Sequence, residues 1–258
     1  LERAEGMANA ASVDSRRDSS PESGATWIEV AGVYAMFDDP SSPITQTFGL
    51  GLFDPFQGPE FDRVERFFAE RGAATAHEVS SFAAPETLSL LGARDYSPIE
   101  ASTVLVRPTS NPPASRSEAI AVRAVDHSEL PVWCRISAQG WSSEAPELGP
   151  RLEKLGGVMA RARGVTCFLA EKDGEPIATG ALNIANGVAL LAGATTIPAA
   201  RRQGAQLELL HTRLALAAAR GIELAMVVTL PGSASQRNAE RQGFRPVYTR
   251  AKWQRAST

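Results

Sequence analysis

Residues 197–206 read Ile-Pro-Ala-Ala-Arg-Arg-Gln-Gly-Ala-Gln. Two guanidinium groups, two amides and a glycine stand here between an apolar run at 187–196 and a stretch of helical spacing at 207–221. A helix starting at such a junction leaves its first N–H groups without intrahelical acceptors, and its dipole adds positive character. Anions, phosphates above all, bind at such ends. Gly204 lets the main chain approach a ligand without a Cβ, and Arg201 and Arg202 bring fork-shaped donors suited to phosphate. The pattern reads as a pyrophosphate cradle. It is not a Walker loop, lacking Gly-Lys-Ser/Thr, and not G-x-G-x-x-G. The competing reading is a solvated basic helix start. That reading is weakened because the dipole does not favour arginine at a helix N-terminus.

Other chemistry-bearing side chains are sparse. His77, His127 and His211 lie far apart, so no metal site is expected. Cys134, in a predicted helix, and Cys167, in a predicted strand, read as buried thiols rather than a disulfide framework. The run at 187–196 holds no carboxylate, and Glu223 only opens the next apolar run, so no general base is legible. Glu208, in the first helical turn, reads as a partner of the helix dipole. His211 borders the apolar face. Trp133 and Trp141 either line an acceptor pocket or pack in the core.

These residues must be held by regular elements. The stretch 119–125 alternates as a strand, and 129–140 and 146–163 read as helices. Three apolar runs follow, broken by Asp173-Gly174 and Asn186-Gly187. Both dipeptides suit the type I′ turn, so 165–196 reads as a three-stranded antiparallel meander. Beyond the cradle, Leu207, Leu210, Leu214 and Ala218 mark one helical face, and Gly221 caps its end. A continuous apolar strand at 222–230, a short helix at 233–244 and a last strand at 245–253 complete the half.

The N-terminal half ends in a similar order. Strand-like 44–53 leads to a helix at 59–72, a strand at 74–82, a helix at 85–96 and a strand at 101–108. Gly72 stands 24 residues before Tyr96, and Gly221 stands 23 before Phe244. Both aromatics are followed two positions on by proline, Pro98 and Pro246, which argues for an internal duplication. The two copies differ at the cradle, where the first has 53–60, with Asp54 and Glu60 and no arginine. Ahead of Trp27, a loose stretch at 14–26 is expected to join a short first helix to the first strand. The Pro/Ser-rich stretch 107–119 reads as a linker, which divides the chain into 1–112 and 118–258.

On these residues a resemblance can be stated. Arg201-Arg202-Gln203-Gly204-Ala205-Gln206 resembles the (Arg/Gln)-x-x-Gly-x-(Gly/Ala) acetyl-CoA motif of the GNAT N-acetyltransferases, placed after a fourth strand and opening a third helix. The stretch 232–244 resembles the helix that follows in that family and ends in Gly-Phe. The resemblance covers 118–258, with 1–112 as a degenerate first copy, so the chain resembles tandem-GNAT proteins. It implies an α+β fold of two GNAT-like domains, each a mixed, mostly antiparallel twisted sheet flanked by helices. The co-substrate implied is acetyl-CoA and the acceptor a small-molecule amine. Ala194, Thr195 and Thr196 would offer backbone groups to the pantetheine arm, one N–H polarising the thioester carbonyl. Residues 201–206 would hold the pyrophosphate, Asn238 could contact the cofactor, and the splay between the fourth strand and 224–230 would admit the thioester. Gln206 departs from the motif, so its side chain must turn from the phosphates or bond to the cofactor. Ala239 stands where the family often has a tyrosine acid. Tyr248 is the nearest substitute in sequence, with strand packing as its competing role.

Composition bounds the rest. Of 258 residues 43% are hydrophobic and 21% charged, an ordinary globular balance. The net charge of −3 argues against nucleic acid, which needs a basic footprint. No apolar run nears the ~18 residues of a membrane span, and residues 1–20 are polar without a leader pattern, so a cytoplasmic protein is expected. The expected function is acetyl transfer from acetyl-CoA to an amine by direct attack on the thioester. The alternatives are a non-catalytic acyl-CoA-binding sensor and a structural module whose loop binds nothing.

Overall fold

A computed structural model describes residues 1–112, 117, 119–143 and 146–255. The chain runs α1 (Glu2–Ser19), β1 (Thr26–Val30), β2 (Val33–Phe37), β3 (Gln46–Phe48), α2 (Gly58–Ala69), β4 (Ala76–Ser80), α3 (Pro85–Ala93), β5 (Tyr96–Pro108), β6 (Ala121–Ala124), α4 (Leu130–Trp141) and α5 (Gly149–Ala160). It continues with β7 (Val165–Lys172), β8 (Glu175–Ala185), β9 (Val188–Thr196), α6 (Ala205–Ala219), β10 (Leu224–Thr229), α7 (Ala234–Arg241) and β11 (Arg245–Arg255). The helix-strand-helix-strand order noted in the sequence recurs as α2-β4-α3-β5 and α6-β10-α7-β11.

Two compact units form, and they are not the contiguous halves 1–112 and 118–258. One comprises Leu1–Arg107 with Val227–Thr258; the other is Pro108–Met226. The reason is strand pairing: β11 lies between β4 and β5, antiparallel to both, so the C-terminus completes the first unit's sheet. The expected linker 107–119 lies partly outside the described residues. Its described start is anchored, because β5 runs to Pro108 and the Thr109 N–H donates to Glu223 O at 2.9 Å.

In the unit 108–226, the strand order is β6-β7-β8-β9, antiparallel throughout, with β10 parallel to β9 over Leu224↔Val188 to Met226↔Leu190. The meander is as expected. Asp173-Gly174 and Asn186-Gly187 hold positive φ at all four positions, as type I′ turns require. One irregularity matters. Thr179 pairs Thr195 while Ala181 pairs Ala192, so β9 carries an extra residue there, a bulge with Gly193 at φ +59°. A Cβ at Gly193 would lie 3.2 Å from the Trp133 ring, so the left-handed turn and the close packing both need glycine. Leu130, Trp133 and Cys134 of α4 pack on Cys167, Leu169 and Ala181, and the Trp133 indole donates to Phe168 O (3.1 Å) and Gly180 O (3.3 Å). Both cysteines are buried free thiols; burial pushes Cys167 up to about 12 and Cys134 upward too.

The unit of 1–107 and 227–258 has strand order β1-β2-β3-β4-β11-β5, all antiparallel except the parallel β3–β4 pair. Phe61, Val64, Phe67 and Phe68 of α2 fill its core with Phe37, Leu50 and Leu91, and the α2 N-terminus is a Gln57/Glu60 capping box. Three expectations change here. The first helix is long, running to Ser19 through half of the stretch read as loose, because its small residues Ala4, Gly6, Ala8 and Ala10 let it lie close against the sheet. The strand at 44–53 shrinks to Gln46–Phe48, since Gly49 (φ +85°) and Gly51 (φ +68°) turn the chain out of the sheet. The first strand expected from Trp27 is β1, but its hairpin partner β2 has no counterpart among the expected elements.

β11 also carries a buried cation. Arg250 is 3% exposed and its guanidinium faces Glu5 (2.7 Å), Glu2 (3.3 Å) and Glu78 (3.7 Å). Three carboxylates around one arginine leave excess negative charge in a low-dielectric place. Burial accordingly pushes Glu2 upward and Glu78 up to about 7, against the pull of Arg250. Between the ordinary value of 4.5 and about 7, Glu78 holds its proton in the folded state and has lost it in the unfolded one. Stability therefore falls as pH rises through that window. The melting temperature is expected to drop by on the order of 5 °C between pH 4.5 and 7.5, and Glu78→Gln is expected to flatten the curve. Parallel melting curves for the two proteins would refute this.

Candidate functional site

The junction at 197–206 folds around two left-handed residues. Arg202 takes φ +63° and Gly204 φ +93°. Gly204 is the N-cap of α6, and its carbonyl accepts from Leu207 (2.9 Å) and Glu208 (3.2 Å). The N–H groups of Gly204, Ala205 and Gln206 precede those bonds, so the helix offers them no acceptor. A Cβ at Gly204 would meet nothing nearer than Ile120 Cδ1 at 4.0 Å, which leaves this bend open. A non-glycine residue in the left-handed region costs on the order of 1 kcal/mol, and such strain concentrates at functional loops.

Side chains cross-link the junction to its surroundings. The Arg201 guanidinium donates to Gly140 O at the C-terminal end of α4 (3.2 Å), to Ser143 Oγ (2.7 Å) and to Thr196 O (3.4 Å). It thus answers the negative end of the α4 dipole. Arg202 is exposed. Gln203 accepts from Lys172 Nζ at 2.9 Å, bringing a cation from the end of β7 to the loop. Gln206 turns back to β9, donating to Thr195 O (2.7 Å), Thr196 Oγ1 (3.0 Å) and Thr179 O (3.4 Å). Its side chain therefore points from the bend toward β9. Ala205 is buried beneath the first turn.

The end of β9 leads into this bend. Its ladder with β10 stops at Leu190, while β9 runs on to Thr196. Ala194 is exposed; Thr195 is buried under α4, where a Cβ on Gly140 would collide with the Thr195 side chain. Thr179 Oγ1 donates to Gly193 O at 3.0 Å. Below the bulge lies Arg213, 3% exposed, donating to Leu209 O (3.0 Å), Ala181 O (3.1 Å) and Ala192 O (3.1 Å). All its acceptors are neutral carbonyls. Burial pushes it down to about 10, which still leaves it a cation at neutral pH.

The structure thus brings together Ala194, Thr195, Thr196 and Arg201 to Gln206 in one unit. Tyr248 and Asn238 belong to the other. The Tyr248 hydroxyl donates to Glu2 at 2.6 Å, and burial with the Glu2 charge pushes its pKa upward. Asn238 is exposed on α7 and accepts from Arg241. Trp133 is core and Trp141 is 59% exposed, so of the two only Trp141 offers a ring to solvent. The expected face of α6 is rotated: Leu209, Arg213, Leu214 and Ala217 are buried, while Leu207, Leu210 and Ala218 are only half so. Arg213, Lys172 and Thr179 are the site residues that sequence spacing did not single out. A charged residue amid apolar neighbours at helical spacing was the available signal for Arg213; nothing local marked the other two. Among the described residues no three metal-binding side chains cluster, and no helix is long and apolar enough to cross a membrane.

Comparison with known proteins agrees with this geometry. Residues 130–244 match the model of the Acetyltransferase (GNAT) family. A GCN5-related N-acetyltransferase from Kribbella flavida superposes with a TM-score of 0.70 at 18% identity, covering 96% of each chain. A GCN5-related N-acetyltransferase from Sphaerobacter thermophilus gives 0.60 at 14% identity, over 90% of this chain and 75% of that one. A tandem GNAT protein from the clavulanic acid biosynthesis pathway gives 0.61 at 10% identity, over 100% of this chain and 98% of the other. No curated protein matches the sequence. The chain therefore has the GNAT fold, and residues 130–244 carry the family's sequence pattern.

Gln206→Ala, which restores the small residue of the motif, removes the tie between α6 and β9. Loss of these partly buried hydrogen bonds is expected to cost about 1–2 kcal/mol, seen as a lower denaturant midpoint at unchanged slope. An unchanged midpoint would show that the tie contributes nothing.

Proposed function

We propose that this chain is an acetyltransferase that moves the acetyl group of acetyl-CoA to the amine of a small molecule. The observation that carries this is the bend at Arg202 to Gly204. Two left-handed residues expose the N–H groups of a 15-residue helix directly after the bulged end of β9, in a segment that matches the acetyltransferase model.

Each part has a physical task. The N–H groups of Gly204, Ala205 and Gln206, with the exposed Arg202, hold the diphosphate. Lys172 adds charge through Gln203. Arg201 is committed to α4 and Thr196, so it shapes the cradle rather than clasping phosphate. The exposed Ala194 and the main chain through Thr196 orient the pantetheine arm, and an N–H of this stretch donates to the thioester carbonyl oxygen. Bound acetyl-CoA supplies an acyl group activated as a thioester. The overall exchange forms a C–N bond, breaks the C–S bond, and leaves on sulfur the proton that nitrogen loses. Only about one in a thousand or fewer of simple alkylamines is neutral near pH 7, so an acceptor of lowered pKa reacts fastest. Tyr248 is given no acid role, because its hydroxyl serves Glu2. That commitment, with Ala239 where the family often has a tyrosine, favours the sensor as the second reading.

Calorimetry with acetyl-CoA tests the first step. Binding is expected in the micromolar range, weakened about three- to tenfold by Arg202→Ala and more by Gly204→Val, whose Cβ and β-branch oppose φ +93°. Absence of binding at sub-millimolar acetyl-CoA would exclude both the enzyme and the sensor. An amine screen with free-thiol detection separates those two: saturable binding with no thiol released across the screen would favour the sensor.

A further inference from the structure

Arg213 stands out among the buried groups of the unit 108–226. Burying a cation costs much more than burying a methionine of similar volume, and no carboxylate among the described residues offsets it. The fold nevertheless makes room for it. A Cβ at Gly180 would lie 3.0 Å from the Arg213 guanidinium carbon, so the glycine in the middle of β8 is what admits the charge. The other face of the bulge is closed by Trp133, against which Gly193 and Ala181 pack. Neighbouring β8 residues 180 and 181 thus face Arg213 and Trp133 respectively, as strand alternation requires.

The acceptors of Arg213 show what the charge acts on. It donates to the carbonyls of Ala181 and Ala192, the register pair at the edge of the bulge. A trans peptide holds its N–H antiparallel to its C=O. Fixing the Ala192 carbonyl therefore aims the Gly193 N–H to the opposite side, away from Arg213. The next units are set in the same way: Thr179 holds Gly193 O, and Gln206 holds Thr195 O. The N–H groups so oriented belong to Gly193, Ala194 and Thr196, in the stretch proposed to meet the thioester. A charge-assisted bond to a carbonyl polarises its peptide and strengthens the N–H as a donor, most of all where the dielectric is low.

Resting on the acetyl-CoA reading above, we propose that Arg213 is a positioning residue for acyl transfer. It is a fixed, unneutralised cation behind the β9 bulge that polarises the peptide units donating to the thioester carbonyl oxygen. Its role is electrostatic, so charge matters more than shape.

Isotope-edited infrared spectroscopy of the acetyl-CoA carbonyl, with the full chain saturated as judged by calorimetry, tests this without an acceptor. In the wild type the bound carbonyl band is expected to shift to lower frequency than in free acetyl-CoA. Arg213→Gln is expected to lose at least half of that shift while affinity stays within about threefold, and Arg213→Lys, which keeps the charge, is expected to retain most of it. Equal shifts in the wild type and Arg213→Gln would overturn the proposal and leave Arg213 a structural peg. Should Arg213→Gln fail to fold, the other two proteins decide. An unshifted wild-type band, or a shift abolished in a folded, binding-competent Arg213→Lys, overturns it; a shift present in both upholds it. A wild type that binds no acetyl-CoA would instead overturn the transferase reading on which this one stands.

Discussion

The bulge in β9 is the constraint on which the candidate site depends. One extra residue, Gly193, enters a strand whose ladder with β10 has already ended at Leu190. An extra residue in a strand leaves peptide groups without ladder partners, and buried peptide groups must be satisfied. Three side chains from two elements do so here: Arg213 and Gln206 from α6, and Thr179 from β8. The irregular backbone is thereby a rigid surface rather than a soft one, which is what a group that must present N–H donors in fixed directions requires. The same helix that supplies two of these clamps also supplies the open N-terminus. The end of β9 and the bend at Gly204 are therefore tied to one element.

Glycines serve two separate purposes in this arrangement. Gly204 and Gly193 adopt left-handed backbone that other residues enter only at a cost. Gly180 and Gly140 are ordinary in conformation and act by what they lack, since a Cβ at Gly140 would collide with Thr195 and one at Gly180 would crowd the Arg213 guanidinium. Both kinds would look alike in a sequence. They differ in what a substitution would disturb: the first two change the path of the chain, the second two displace a neighbouring side chain.

Polar burial in the other unit follows a different logic. Arg250 is surrounded by Glu2, Glu5 and Glu78, with Tyr248 bonded to Glu2, so cation and anions answer one another. That network joins the N-terminal helix to the C-terminal strand. It explains why the compact unit takes in both ends of the chain, and it occupies the tyrosine that a linear search nominates as an acid. Among the described residues no carboxylate pairs with Arg213, and the contrast between these two buried arginines, one ringed by carboxylates and one not, is the reason for assigning the second an electrostatic task.

How much of this was legible in sequence can be argued from particular residues. The meander was, because Asp173-Gly174 and Asn186-Gly187 impose positive φ through local sterics alone. So was the bend at Gly204, since that glycine and the start of a helix are adjacent in the chain and their geometry is local. What the sequence could not decide were relations between distant segments. The membership of β11 depends on pairing with β4 and β5, more than a hundred residues away. The direction of Gln206 depends on carbonyls of β9, and the burial of Arg213 on a gap left by Gly180. Local backbone preference acts through neighbours in the chain, and one sequence position reports it. Hydrogen-bond satisfaction and strand pairing act through neighbours in space, and only the folded chain brings those together.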